Sequence, residues 1–260
     1  MQRLLRNELK TNFDSFTIWA YRVGASDSPF CTASPIAPAE LAAETAQLAA
    51  LTTALMALPP APSGSTTFWL ESWENDWATR CGSYSPTAAP PPSVVAAYAA
   101  WLQARQDGVT RGRAAFCTAR GGLLGASGQQ RVAVNCSDPK AVVDAAAVNV
   151  YLGAEVNLVA SCIHNTTCGN IVRAVLPHVA LDYVSYSSYD SMRTPALADA
   201  LDLIAGQHNR TAASPERALF ITEFGVPETT TDAQTVRQVC CGNRMPARIP
   251  DCTPAPPVVA

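Results

Sequence analysis

The feature that most constrains this chain is an alternation. Short runs rich in β-branched and aromatic residues are separated by segments with a one-sided apolar stripe, and several of the runs end in a carboxylate. The last run shows the pattern best. Ala218 to Thr222 is apolar or β-branched, Glu223 follows directly, and Gly225 and Pro227 close the segment. Such a run reads as a short strand buried on both faces. A carboxylate at the carboxyl end of a buried strand is costly unless something solvates or uses it. In parallel α/β folds that end is where active sites gather.

Four further strands are expected at 13–23, 66–70 (running on through Glu71 to Trp77), 148–155 and 179–186. Between the first two, Leu41, Leu48, Leu51, Leu55 and Leu58 form the stripe of a core-facing helix, with Pro38 in its first turn and Pro59-Pro60 as its stop. A proline-rich loop, Pro86 to Pro92, leads to Ser93 as the cap of a second helix carrying Val94, Tyr98, Trp101, Leu102 and Arg105. Shorter helices are expected to open at Asp138-Pro139 and near 169–176, and another covers about 195–207. Alternating strand and helix implies a parallel sheet with right-handed crossovers. Two stretches break the rhythm. Residues 107–137 show neither period and read as an irregular insertion. Residues 240–260 are dense in Pro and Cys and read as an irregular tail, leaving 1–239 as one domain.

Composition narrows the function. With 260 residues, 48% of them hydrophobic, the chain can bury the core of one barrel or two small domains. A net charge of -3 without a long basic run argues against nucleic acid as a partner. The three histidines and nine cysteines show no zinc-type spacing, so no metal is expected. No run reaches transmembrane length, the first residues lack a signal-peptide core, and no membrane or specific protein partner is expected. Nine cysteines and sequons at Asn135, Asn165 and Asn209 lean towards a secretory compartment and leave it open. Cys162 and Cys168 are spaced to close a small loop.

Carboxylates end three of the strands, as Glu74 (with Glu71 and Asp76 nearby), Glu155 and Glu223, and Tyr186, Tyr189 and Asp190 end a fourth. In a parallel sheet these ends share one rim. Trp69, Trp73 and Trp77 lie in the same stretch as Glu74, giving flat apolar faces beside carboxylates, the pairing that sugars need. Glycosidic cleavage takes two carboxylates, one protonated and one ionised. Strand parity lets only one of Glu71 and Glu74 point into a barrel. Glu74 is nearer the strand end and is chosen, with Glu71 expected on the outside, solvated or in a salt bridge.

The segments Trp-Glu-Asn-Asp-Trp (73–77), Ala-Glu-Val-Asn-Leu-Val (154–159), Asp-Tyr-Val-Ser-Tyr-Ser (182–187) and Ile-Thr-Glu-Phe-Gly (221–225) occur in an order that resembles the retaining glycoside hydrolases of the large (β/α)8 superfamily. More closely the chain resembles a glycosidase-like branch with an Asn-Trp-Glu-Gly-Asp-Trp-type motif. The likeness spans about residues 10–239, the middle insertion excepted. It implies an incomplete TIM-type barrel holding about strands three to seven. It also implies Glu223 as nucleophile and Glu74 as acid/base, without a cofactor, acting on a carbohydrate substrate. Tyr186 would hydrogen-bond the nucleophile, and Trp73, Asp76, Trp77, Glu155, Asn157 and Tyr189 would line the sugar site. Two other classes compete. One is an inactive barrel remnant that binds glycan or is vestigial. The other, a phosphate-binding enzyme, is disfavoured because no Gly-rich loop follows a strand.

Overall fold

The computed structural model describes residues 13–21, 29–31, 35–81, 89–125, 131–192 and 194–224. The tail at 240–260, Gly225 and Pro227 lie outside the described residues, as do residues 22 and 23 of the expected first strand. The chain is an α/β fold built on a curled, five-stranded parallel sheet, a half-barrel. In chain order the elements are β1 (Ser15–Trp19), α1 (Pro38–Met56), β2 (Thr66–Glu71) and the one-turn α2 (Asn75–Ala78). Then come α3 (Pro92–Ala119), β3 (Leu123–Leu124), β4 (Val132–Ala133), α4 (Pro139–Ala145) and β5 (Val148–Val156). The last are α5 (Ile171–Ala174), β6 (Tyr183–Ser187), α6 (Ala196–Gln207) and β7 (Leu219–Glu223). The parallel strands lie in the order β1-β2-β5-β6-β7. Each is added beside its predecessor without the reversal that a doubly wound sheet shows.

Residue parity divides the sheet into two faces. Phe68, Leu70, Val148, Val150, Leu152, Ala154, Val156 and Val184 face the helices and join the main apolar core. Leu48, Leu55, Tyr98, Trp101, Leu102 and Val109 reach it from α1 and α3. These two helices approach closely because Gly108 and Gly112 lie one turn apart on α3. A Cβ at either would come within 2.7 Å of the carbonyl of Thr45 or Ala49 on α1. The other face is aromatic. Trp69 stacks on Tyr151 at 5.0 Å and meets Tyr183 and Phe220 edge-on at 5.1 Å, giving the concave side a floor. Gly153 has no Cβ, which lets the Tyr183 ring lie against β5.

Three expectations change. The stretch 107–137 is not irregular throughout: α3 continues to Ala119, with Gly108, Val109, Gly112, Arg113 and Phe116 buried. The irregular part is shorter and carries a small antiparallel β3–β4 ladder, beside which Cys117 and Cys136 form a disulfide; residues 126–130 within it are not described. The helix cap expected at Ser93 moves to Pro91, with Pro92 as the first helical residue. Finally, β7 is half-buried along its length rather than enclosed, because among the described residues it is an edge strand. The Cys162–Cys168 bridge forms, as does Cys31–Cys81, and the other three cysteines lie outside the described residues. No described helix is long and apolar enough to cross a membrane.

Candidate active site

Parallel pairing brings the carboxyl ends of β2, β5, β6 and β7 to one rim, and four carboxylates meet there: Glu71, Glu74, Glu155 and Glu223. Glu71 is the largest departure from the sequence reading. It is not an outer residue. It shares the concave face with Trp69 and is only 1% exposed, and its Oε2 accepts from Ser185 Oγ at 2.7 Å and from the Tyr183 hydroxyl at 3.2 Å. Parity chose the wrong face for the strand, yet Glu74 still reaches the same rim. The strand stops at Glu71, and Glu74 takes a left-handed backbone conformation with φ 30° that turns it back towards the sheet. Both glutamates belong to the site.

The turn carrying Glu74 is fastened to the end of β5. Its N–H donates to Glu155 Oε2 at 2.9 Å, and Asn75 Nδ2 donates to the Glu155 carbonyl at 2.9 Å. Asp76 N–H donates to Asn157 Oδ1 at 3.2 Å. The Asp76 carboxylate in turn accepts from the N–H groups of Asn157 at 3.0 Å, Leu158 at 3.4 Å and Ile171 at 2.9 Å. Asp76 and Asn157 are thus buried fasteners, not the substrate-facing groups the sequence suggested. The residues around Glu74 have no strand ladder, so their backbone groups need these side-chain partners.

Glu223 is set by a register shift. Tyr186 pairs with Ile221 while Ser187 pairs with Glu223, leaving Thr222 as an extra residue on β7. Such a bulge re-aims side chains and is common at barrel rims. Here it lets two successive residues serve the site. Thr222 Oγ1 donates to Glu155 Oε1 at 2.7 Å, and Ser187 Oγ bonds Glu223 Oε2 at 3.0 Å. The same Ser187 hydroxyl bonds Glu74 Oε1 at 3.1 Å. Those two carboxylate oxygens therefore lie at most about 6 Å apart, compatible with the about 5–5.5 Å carboxyl separation of retaining glycosidases. A hydroxyl has one proton to give, so the bridge is complete when one of the two carboxyls is itself protonated and donates to Ser187.

Tyr186 does not reach Glu223. It lies on the helix-facing side of β6, fully buried, and its hydroxyl donates to Asp190 and bonds Ser191 Oγ at 2.6 Å. Ser187, one residue on and on the opposite face, makes the contact expected of it. Of the predicted aromatic residues, Trp73 is exposed and Tyr189 more so, at 57%. Trp77 is half-buried beneath Arg80, whose guanidinium lies 5.2 Å from the ring. The aromatic that lines the cavity is one the sequence reading passed over, Trp19 at the end of β1. The cavity has about 520 Å³ and is lined by Thr17, Ile18, Trp19, Glu71, Glu155, Thr222 and Glu223. Glu74 stands beside it, linked through Ser187. A signal for Trp19 existed, since it ends a strand as Glu223 does. Ser187 and Thr222 gave none.

Electrostatically the rim is one-sided. Among the described residues, no Lys or Arg lies within ion-pair distance of the four carboxylates. Burial, and then the neighbouring Glu155 and Glu223, raise Glu71 to about 7 against the hydrogen bonds from Ser185 and Tyr183. Burial also raises Glu74 and Glu155, with the Glu223 charge adding to both. Such a site can hold a proton at neutral pH next to an ionised carboxylate. No family model, curated protein or solved structure matches the chain.

Proposed function

We propose that this rim hydrolyses O-glycosidic bonds by a retaining double displacement, with Glu223 as nucleophile and Glu74 as acid/base. The observation that carries the proposal is the Ser187 hydroxyl spanning the two carboxylates at the carboxyl ends of parallel strands, beside a cavity edged by Trp19. On this reading β1, β2, β5, β6 and β7 are strands three to seven of a (β/α)8 barrel. Glu74, its pKa raised first by burial, carries the proton. It gives that proton to the glycosidic oxygen as Glu223 attacks the anomeric carbon and the leaving group departs. The ionised Glu74 then takes a proton from water, whose oxygen attacks the same carbon and releases Glu223. Glu155 orients Glu74 through its N–H, and Thr222 orients Glu155. Ser188 holds the Glu223 carbonyl through both its N–H, at 2.9 Å, and its hydroxyl, at 3.0 Å.

A second reading is binding without turnover. It is favoured by the two outer strands, β1 and β7, which are both edges among the described residues. A panel of nitrophenyl glycosides, together with activated 2-fluoro glycosides that trap a glycosyl–enzyme, separates the two. Hydrolysis by the full chain, an adduct mapped to Glu223, and a loss of at least about a thousandfold in Glu223→Gln support catalysis. Sugar binding that Glu223→Gln leaves intact, with no turnover and no adduct in either form, rejects it.

A further inference from the structure

The rim holds more buried carboxylate than double displacement uses. Glu223 and Glu74 react and Glu155 fastens Glu74, while Glu71 takes no part. It is nevertheless among the most deeply buried acids of the described residues and lines the cavity. Both of its hydrogen-bond donors, Tyr183 and Ser185, go to Oε2. Its Oε1 has no partner among the described residues. That oxygen is not sealed away, since Glu71 lines the cavity, and a carboxylate set so deep either keeps a proton or takes a cation. Elsewhere this chain supplies the cation: Glu44 has Arg105 at 2.7 Å and Asp182 has Arg113 at 2.5 Å. At the rim the described residues supply only hydroxyls and one N–H. Nor do three or more His, Cys, Asp or Glu side chains among the described residues converge closely enough to hold a metal ion. In the empty site burial favours the protonated form of Glu71; a cation on an occupant can take that proton's place, and about 520 Å³ is within the range of small-molecule sites.

Resting on the glycoside reading above, we propose that the cavity is a subsite for an amino sugar with a free amine. Its ammonium group lies against Glu71 Oε1 and Glu155, its ring against Trp19, and its anomeric carbon at Glu223. An ammonium makes charge-assisted bonds to both carboxylates, about twice as strong as those of a neutral hydroxyl. An N-acetylated sugar offers no charge, and a uronic acid adds a repelling one. The preference is therefore free amine over neutral sugar over acidic sugar.

Titration calorimetry on the full-length protein tests this with glucosamine and galactosamine against glucose, galactose, N-acetylglucosamine and glucuronate. The expected result is at least about tenfold tighter binding of the amines than of the neutral sugars, weakened by salt. Proton release is expected near pH 6, as the ammonium favours ionisation of the carboxyls that burial raises, Glu71 and Glu155 facing it from β2 and β5 and the adjacent Glu74, with Glu223 facing it from β7. Glu71→Gln should abolish most of the advantage and the proton release. Should that variant fail to fold, the wild-type ranking and proton release decide alone. Neutral sugars binding as well as the amines, or Glu71→Gln keeping the preference, overturns the subsite and leaves the glycoside reading standing. No binding of any of these sugars overturns both.

Discussion

The two ends of this sheet treat buried carboxylates in opposite ways. At the amino end, Asp182 just before β6 is fully buried and receives Arg113 from α3, the Leu152 N–H at 3.0 Å and the Thr211 hydroxyl at 2.6 Å. Arg113 also donates to the Val150 carbonyl at 2.9 Å, tying helix to strand. Every group there is answered by an opposite one. At the carboxyl end Glu71 and Glu155 are equally buried, and from the described residues they receive neutral donors only. A buried pair completed in geometry and charge is a structural lock, and removing one partner strands the other. Carboxylates left without cations are poised to take protons or ligands, and they cost stability to keep.

Opposite mutational responses at the two ends would sharpen that contrast. The largest effect is expected for Arg113→Met, which leaves Asp182 buried without its cation and should lower unfolding free energy by about 3–5 kcal/mol in urea titrations. Next comes Glu71. Its folded pKa of about 7 lies above its ordinary 4.5, so the stability it contributes is full below about 4.5 and is lost as pH rises through 7. That loss is about 3 kcal/mol by the usual conversion of pKa shifts. Glu71→Gln should flatten the stability profile over this window and raise stability at pH 8. A Glu71→Gln variant as damaged at pH 8 as Arg113→Met would break the comparison. Smaller again is Gly153→Ala. Its Cβ would fall 2.5 Å from the Tyr183 ring, pushing the hydroxyl off Glu71 at a cost of about 1–3 kcal/mol. The shift should appear in the near-ultraviolet circular dichroism of the aromatic floor.

Strand and helix were legible wherever period decided the matter. The Leu41-to-Leu58 stripe is α1, apart from its last residue, and the alternation in 148–155 is β5. Asp138 caps α4 through the N–H groups of Lys140 and Ala141, as its place before Pro139 implied. The second half of α3 escaped because Gly108 and Gly112 break the apolar stripe at the points where α1 packs closest. Close packing there needs the absence of a side chain, which periodicity counts as a gap. At the rim the residue types Glu74, Glu155 and Glu223 were legible, while their partners were not. Parity groups the residues of a strand without saying which group faces the cavity, and past the strand it fails altogether. The faces of Glu71 in β2 and Tyr186 in β6 needed the packed helices to decide them, while the Glu74 turn and the β7 bulge hid the aim of Glu74, Asp76 and Glu223.

The smallest expected effect bears most directly on the contrast. Glu74 sits at φ 30°, a region L-residues avoid because Cβ crowds the carbonyl, at a cost of roughly 1–2 kcal/mol. Its N–H bond to Glu155 does not depend on its side chain, so a glycine can keep the turn. Glu74→Gly relieves the strain and removes one carboxyl from a crowded rim. It also frees the Ser187 proton for Glu223 alone. Against this stands the extra backbone freedom glycine gives the unfolded chain, a penalty of about 0.5–1 kcal/mol. The net change should be stabilising by about 0.5–1 kcal/mol, read as a raised urea midpoint, while kcat/KM for any hydrolysed glycoside falls about 10²–10⁴-fold. A strained residue whose replacement steadies the fold and silences the chemistry is held for function. Were Glu74→Gly to lower both together, Glu74 would belong with Asp182 as part of the scaffold.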